Sequence, residues 1–87
     1  MFKNKNNHSN NLCGENIKKY RLLQPSRLSQ RGLADKLQLQ GIDLDKNAIQ
    51  RIESGQRFVT DIELLALSRV LNVSLDTLLN TDSLDNN

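Results

Sequence analysis

A chain of 87 residues has room for one small domain, and its 37% hydrophobic content, mostly Leu and Ile, must supply a single apolar core. Three aromatics, Phe2, Tyr20 and Phe58, are too few for the stacking platforms of single-strand nucleic-acid binders, and no apolar run approaches the roughly 20 residues needed to cross a bilayer. The net charge of +2 hides a split: residues 1–57 carry eleven Lys/Arg against five Asp/Glu, whereas residues 58–87 set Arg69 against Asp61, Glu63, Asp76, Asp82 and Asp85. The one cysteine, Cys13, cannot form an internal disulfide, and no signal-peptide pattern opens the chain, so a reducing cytoplasm is expected.

Residues 1–11, MFKNKNNHSNN, are too polar to bury a core and are expected to be a disordered tail, with Lys3 and Lys5 available to touch phosphate. The folded domain is expected over 12–79, with a second loose tail over 80–87. The first helix is predicted from about Leu12 to Leu23, with Ile17, Tyr20 and Leu22 or Leu23 on one face. It closes before Pro25, which disfavours helix at Gln24. Ser29 caps a second helix that turns Leu33, Ala34 and Leu37 inward and stops at Gly41. Asp45 caps a third, with Ala48, Ile49 and Ile52 inward and a stop at Ser54-Gly55. Thr60-Asp61-Ile62-Glu63 is a capping box that opens a fourth helix, whose predicted apolar stripe is Ile62, Leu65, Ala66 and Val70. Asn72 ends it, and Ser74 starts a short fifth helix holding Leu75, Leu78 and Leu79. Nothing alternates with the period of a strand. The fold class is therefore all-α, a five-helix bundle.

The third helix has two chemically different faces. With Ile49 and Ile52 anchored in the core, Lys46, Asn47, Gln50, Arg51 and Ser54 point outward. An α-helix fits the major groove, Arg can clasp guanine O6 and N7, and Asn or Gln can clasp adenine N6 and N7. Residues near the start of such a helix reach base edges. A solvated helix face would use the same residue types, so the pattern leaves both readings open.

The spacing of several pieces resembles the phage-repressor, or Cro/C1-like (Xre), helix-turn-helix regulators. They are Gly14-x-x-Ile17-x-x-x-Arg21, Leu28-Ser29-Gln30-x-x-Leu33-Ala34-x-x-Leu37 and Ala48-Ile49-x-x-Ile52-Glu53-x-Gly55. Leu64-Leu65-Ala66-Leu67 and Leu71-Asn72-Val73-Ser74-Leu75-Asp76-x-Leu78-Leu79 follow. The resemblance covers Gly14 to Leu79 and implies a lambda-repressor-like bundle that binds double-stranded DNA. It implies base reading by Lys46, Asn47 and Arg51, to which the outward Gln50 is added. It implies backbone or flanking contacts from Gln30 and from the turn Gln56-Arg57, with Ser54 placed among them. Arg21 and Glu53 match an inter-helix ion pair. A homodimer is expected, because one recognition helix covers too few base pairs, and the leucine-rich back (Leu71, Val73, Leu75, Leu78, Leu79) is the surface assigned to it.

The sequence departs from the family in the turn. Seven residues, Gln38 to Leu44, separate Leu37 from Asp45, so either the second helix is longer or the loop is enlarged, with Leu39 and Ile42 plugging its base. A smaller insertion lies around Pro25. No catalytic set assembles: His8 stands alone in the tail, Cys13 suits a small buried hydrophobe, and the glycines are too scattered to cradle phosphate. No cofactor, metal, membrane or small-molecule ligand is expected. The rival to a transcription repressor is a protein-interaction module on the same fold, such as an antitoxin or anti-repressor partner.

Overall fold

The computed structural model describes residues 9–81. Lys3, Lys5, His8 and the end of the C-terminal tail, 82–87, lie outside the described residues. Within them the elements are α1 (Gly14–Leu22), α2 (Gln30–Leu39), α3 (Lys46–Glu53), α4 (Asp61–Leu71) and α5 (Leu75–Leu79).

Four of the five helix starts follow from a side chain that satisfies free backbone N–H groups. Ser29 Oγ accepts from Gly32 N at 2.9 Å, and Asp45 Oδ1 from Ala48 N at 2.8 Å. Thr60 and Glu63 form a reciprocal capping box, and Ser74 Oγ accepts from Thr77 N. The first helix starts differently. Cys13 offers no side-chain cap; Asn11 Oδ1 instead accepts from Gly14 N at 2.8 Å, so α1 begins two residues after the Leu12 expected.

Helix ends are equally local. Gly41 (φ 81) closes α2, with Ile42 N donating to Leu37 O. Gly55 (φ 82) closes α3, with Gln56 N donating to Arg51 O. Both are Schellman ends, and the left-handed residue each needs is a glycine.

The core gathers Cys13 at the N-cap of α1 and Ile17 within it, Leu33 and Leu37 from α2, and Ala48, Ile49 and Ile52 from α3. Ala66, Leu67 and Leu71 of α4, Leu78 of α5 and the loop residue Leu44 complete it. Each fully buried Leu or Ile contributes about 1.5–3 kcal/mol relative to exposure. α3 packs chiefly on α1 and α2, which leaves its other flank open.

Several packing expectations need correction. On α1, Leu22 and Leu23 are exposed, and Cys13, Ile17 and Arg21 take the inner face. On α4, Ile62 and Leu65 are exposed, whereas Ala66, Leu67 and Leu71 are buried. Leu71 and Leu78, assigned to a dimer surface, are fully buried core residues; Leu75 and Leu79 are exposed. Leu39 does not plug the enlarged turn: it is 86% exposed, because it lies two positions, about 200° of helix, beyond the buried Leu37. Past Gly41 the chain forms no regular element, and it is Ile42 and Leu44 that face the core.

Candidate nucleic-acid interface

α3 carries the candidate surface, so what fixes α3 comes first. Its N-terminus is held by Asp45 and its inner face by Ala48, Ile49 and Ile52. Its last turn is held by charge. Arg21 of α1 meets Glu53 through two bonds, Nε to Oε2 at 2.7 Å and Nη2 to Oε1 at 2.9 Å. Arg21 Nη1 also donates to Leu28 O at 2.9 Å, and Gln30 Nε2 donates to Glu53 Oε1 at 3.0 Å. The two side chains are 8% and 4% exposed, so the forked geometry and the extra bonds offset the desolvation of both charges. The cluster ties α1, the start of α2 and the end of α3 into one rigid corner.

The C-terminus of α3 has a second bracket, formed by the Asn-rich segment expected to be disordered. Asn11 Nδ2 donates to Ile52 O at 3.0 Å and to Arg57 O at 2.8 Å. Asn10 N donates to Gly55 O at 2.7 Å, and Asn10 Nδ2 to Gln56 O at 2.9 Å. These carbonyls at and just past the helix end, of which Ile52 O also accepts from Gly55 N, take donors from Asn10 and Asn11, which are therefore part of the fold. The approach is close. A Cβ on Gly14 would collide with the Ile52 carbonyl, and one on Gly55 would meet Ser9 Oγ.

With its inner face and both ends secured, α3 presents Lys46, Asn47, Gln50 and Arg51 to solvent, all exposed. Asn47 and Arg51 stand one turn apart, as do Lys46 and Gln50. Ser54 is exposed beside them, but its Oγ donates to Arg51 O at 3.1 Å. Gln56 is exposed just past the helix. Two more of the residues named for DNA contact already have protein partners. Gln30 spends its amide on Glu53, and Arg57 forms a forked pair with Glu63, at 3.0 and 3.1 Å, besides donating to Phe58 O.

The second pair is the looser one, with side chains 31% and 15% exposed. Its hydrogen bonds with Glu63 raise the Arg57 pKa further. Burial works against the Glu63 carboxylate, but the bonds and charge of Arg57, with the Thr60 N–H, prevail and hold its pKa below the ordinary value. Glu63 is read from the sequence as a capping-box residue, but its pairing with Arg57 escaped that reading, although the spacing of six residues was the available signal. Asn11 escaped too, because it stands two residues before the N-cap Cys13, outside the usual capping position.

The enlarged turn opens a shallow cleft of about 290 Å³ between α2 and the loop, edged by Arg31, Asp35, Asp43 and Lys46 over a floor including Ala34 and Leu44. Its polar edge mixes both signs of charge and contains no nucleophile. Among the described residues no group of three His, Cys, Asp or Glu is placed to hold a metal ion. Burial pushes the Cys13 thiol up to about 11, away from the reactive thiolate form. No helix of the described residues is long and apolar enough to cross a membrane.

A family model described as helix-turn-helix matches residues 17–78, which spans α1 from Ile17 through most of α5. No curated protein and no solved structure matches the chain.

Proposed function

Because the chain belongs to the Cro/C1-type helix-turn-helix family of DNA-binding regulators, we propose that it is a sequence-specific repressor that reads an operator as a homodimer in the cytoplasm. The observation that carries this reading is the contrast across α3. Its inner edge is immobilised by the Arg21–Glu53–Gln30 cluster, and its outer edge offers only groups suited to base edges.

In this reading Asn47 and Arg51 enter the major groove together, with Lys46 and Gln50 on their flanks. Gln30, Ser54, Gln56 and Arg57 lie along the phosphates. Arg57 and the backbone N–H groups around it sit beyond the helix stop, too far along the chain for base edges. One copy extends 35 × 29 × 19 Å, enough for about one helical turn of duplex, so two half-sites require two copies.

The test begins with an operator selected from a random duplex pool. Arg51→Ala should cost about 1–3 kcal/mol on that operator and relax the preference at one base pair. Arg57→Ala should weaken operator and scrambled duplex alike and lower the salt slope by about one unit. If both variants lose equally on both duplexes, α3 does not read bases. If the chain retains no duplex at moderate salt, it is not a DNA reader at all.

A further inference from the structure

α4 is apolar on two sides. Seven of its eleven residues, Ile62, Leu64, Leu65, Ala66, Leu67, Val70 and Leu71, are hydrophobic, more than one core-facing stripe can use. One side, with Ala66, Leu67 and Leu71, is buried in the bundle. The opposite side leaves Ile62 at 67% and Leu65 at 39% exposed, and Phe58 is 53% exposed in the segment that leads into the helix. An exposed Leu alone means little, but two large apolar side chains one turn apart on one helix form a face without a partner.

The charges on this face say what covers it. Asp61 and Arg69 are both exposed, and they lie four residues before and four residues after Leu65. On a helix that spacing puts Asp61, Leu65 and Arg69 along one line, with an acid and a base about 6 Å to either side of the leucine. The two ion pairs among the described residues use neither of them. Such a line is self-complementary under one operation only: a two-fold axis at Leu65, which runs the partner helix antiparallel. Asp61 of each copy then faces Arg69 of the other, and the Ile62 and Leu65 side chains of both copies close over each other. Parallel packing would set like charges together.

We propose that the occupant of this face is a second copy of the chain, joined through antiparallel α4 helices in an isologous contact with Leu65 on the two-fold axis. The inference deepens the dimer reading given above, and replaces the leucine-rich back as its surface. Of that back, Leu71 and Leu78 are consumed by the core.

The test uses the full chain without DNA, so that its outcome is independent of whether α3 reads an operator. Sedimentation across concentration should show reversible self-association of the natural chain. Asp61→Arg and Arg69→Asp each set like charges opposite at both ends of the contact, and each should weaken association about tenfold or more. Mixing these two variants in equal amounts should restore dimers, because every cross-pair is then opposite in sign, and the double variant should self-associate like the natural chain. Ile62→Ser changes a mostly exposed site, so it keeps the fold, checked by circular dichroism, and should also weaken association. A natural chain that stays monomeric at every concentration overturns the proposal. Single charge variants that dimerise normally, or a mixture that fails to recover, overturn it as well.

Discussion

Arg21–Glu53 and Arg57–Glu63 are both forked, two-bond ion pairs, yet the side chains of the first are 8% and 4% exposed and those of the second 31% and 15%. The first joins residues 32 apart in the chain and lies between two helices; the second joins residues six apart, across the approach to α4. Burial changes what each pair can do. In the interior, each charge depends on the other for a partner, so the pair dictates where α3 lies against α1. At the surface, water screens both charges, and in the proposed reading Arg57 exchanges its carboxylate for a phosphate at small cost. The same chemistry makes a fixed joint in one place and a weak, solvent-screened contact in the other.

The largest expected effect comes from breaking the buried pair. Arg21→Ala or Glu53→Ala leaves an unpaired buried charge and should cost about 3–5 kcal/mol in denaturant melts. The double variant should lose clearly less than the sum of the two. Additive losses of a fraction of a kcal/mol would place this pair with the surface one and dissolve the contrast. Next in size is Gln30→Ala. It removes a hydrogen bond to a charged group and should cost about 1.5 kcal/mol, the low end for such bonds because the amide is half-buried. Its loss should vanish in the Glu53→Ala background, which a double-mutant cycle would reveal.

The smallest effect belongs to the surface pair. Arg57→Ala or Glu63→Gln should change stability by about 0–1 kcal/mol after solvent screening. The sign of its pH dependence follows from the lowered Glu63 pKa. Whatever the pair contributes is present above the ordinary glutamate value of 4.5 and is lost as pH falls through the lowered folded-state value. Melts of the natural chain and Arg57→Ala should therefore differ most near neutral pH and converge in acid. On duplex DNA, Glu63→Gln should tighten binding to operator and scrambled sequence alike, because it releases Arg57 toward phosphate. Unchanged affinity would mean that Arg57 never leaves its partner.

The readable parts of the fold were those governed by neighbours in sequence. Ser29, Asp45, Thr60 with Glu63, and Ser74 each cap the helix that follows within three residues, and Gly41 and Gly55 end the helices before them. Where two solutions satisfy the same local pattern, the pattern could not choose. The apolar residues of α4 fit a helix turned to bury either Ile62 and Leu65 or Leu67 and Leu71. In the enlarged turn no period applies, so Leu39 was paired with Ile42 as the plug, whereas Leu44 takes the buried place beside Ile42. The Asn-rich start misled for another reason: composition counts asparagine as unable to bury a core, which is true of Asn10 and Asn11, but they are held by carbonyls rather than by packing.

What the sequence by itself determined is the number of helices, most of their limits, the two-faced chemistry of α3, and the Arg21 and Glu53 partners through the family spacing they keep. These depend on caps, periods and motifs, all of which act over a few residues. The tertiary structure alone decided which flank of α4 meets α1 and α2, that Asn10 and Asn11 brace the end of α3, and that Gln30 and Arg57 answer to carboxylates before any phosphate. Those outcomes join groups 6 to 46 residues apart. They depend on which surfaces win the limited space around one small core, and that competition is settled only when all five helices pack together.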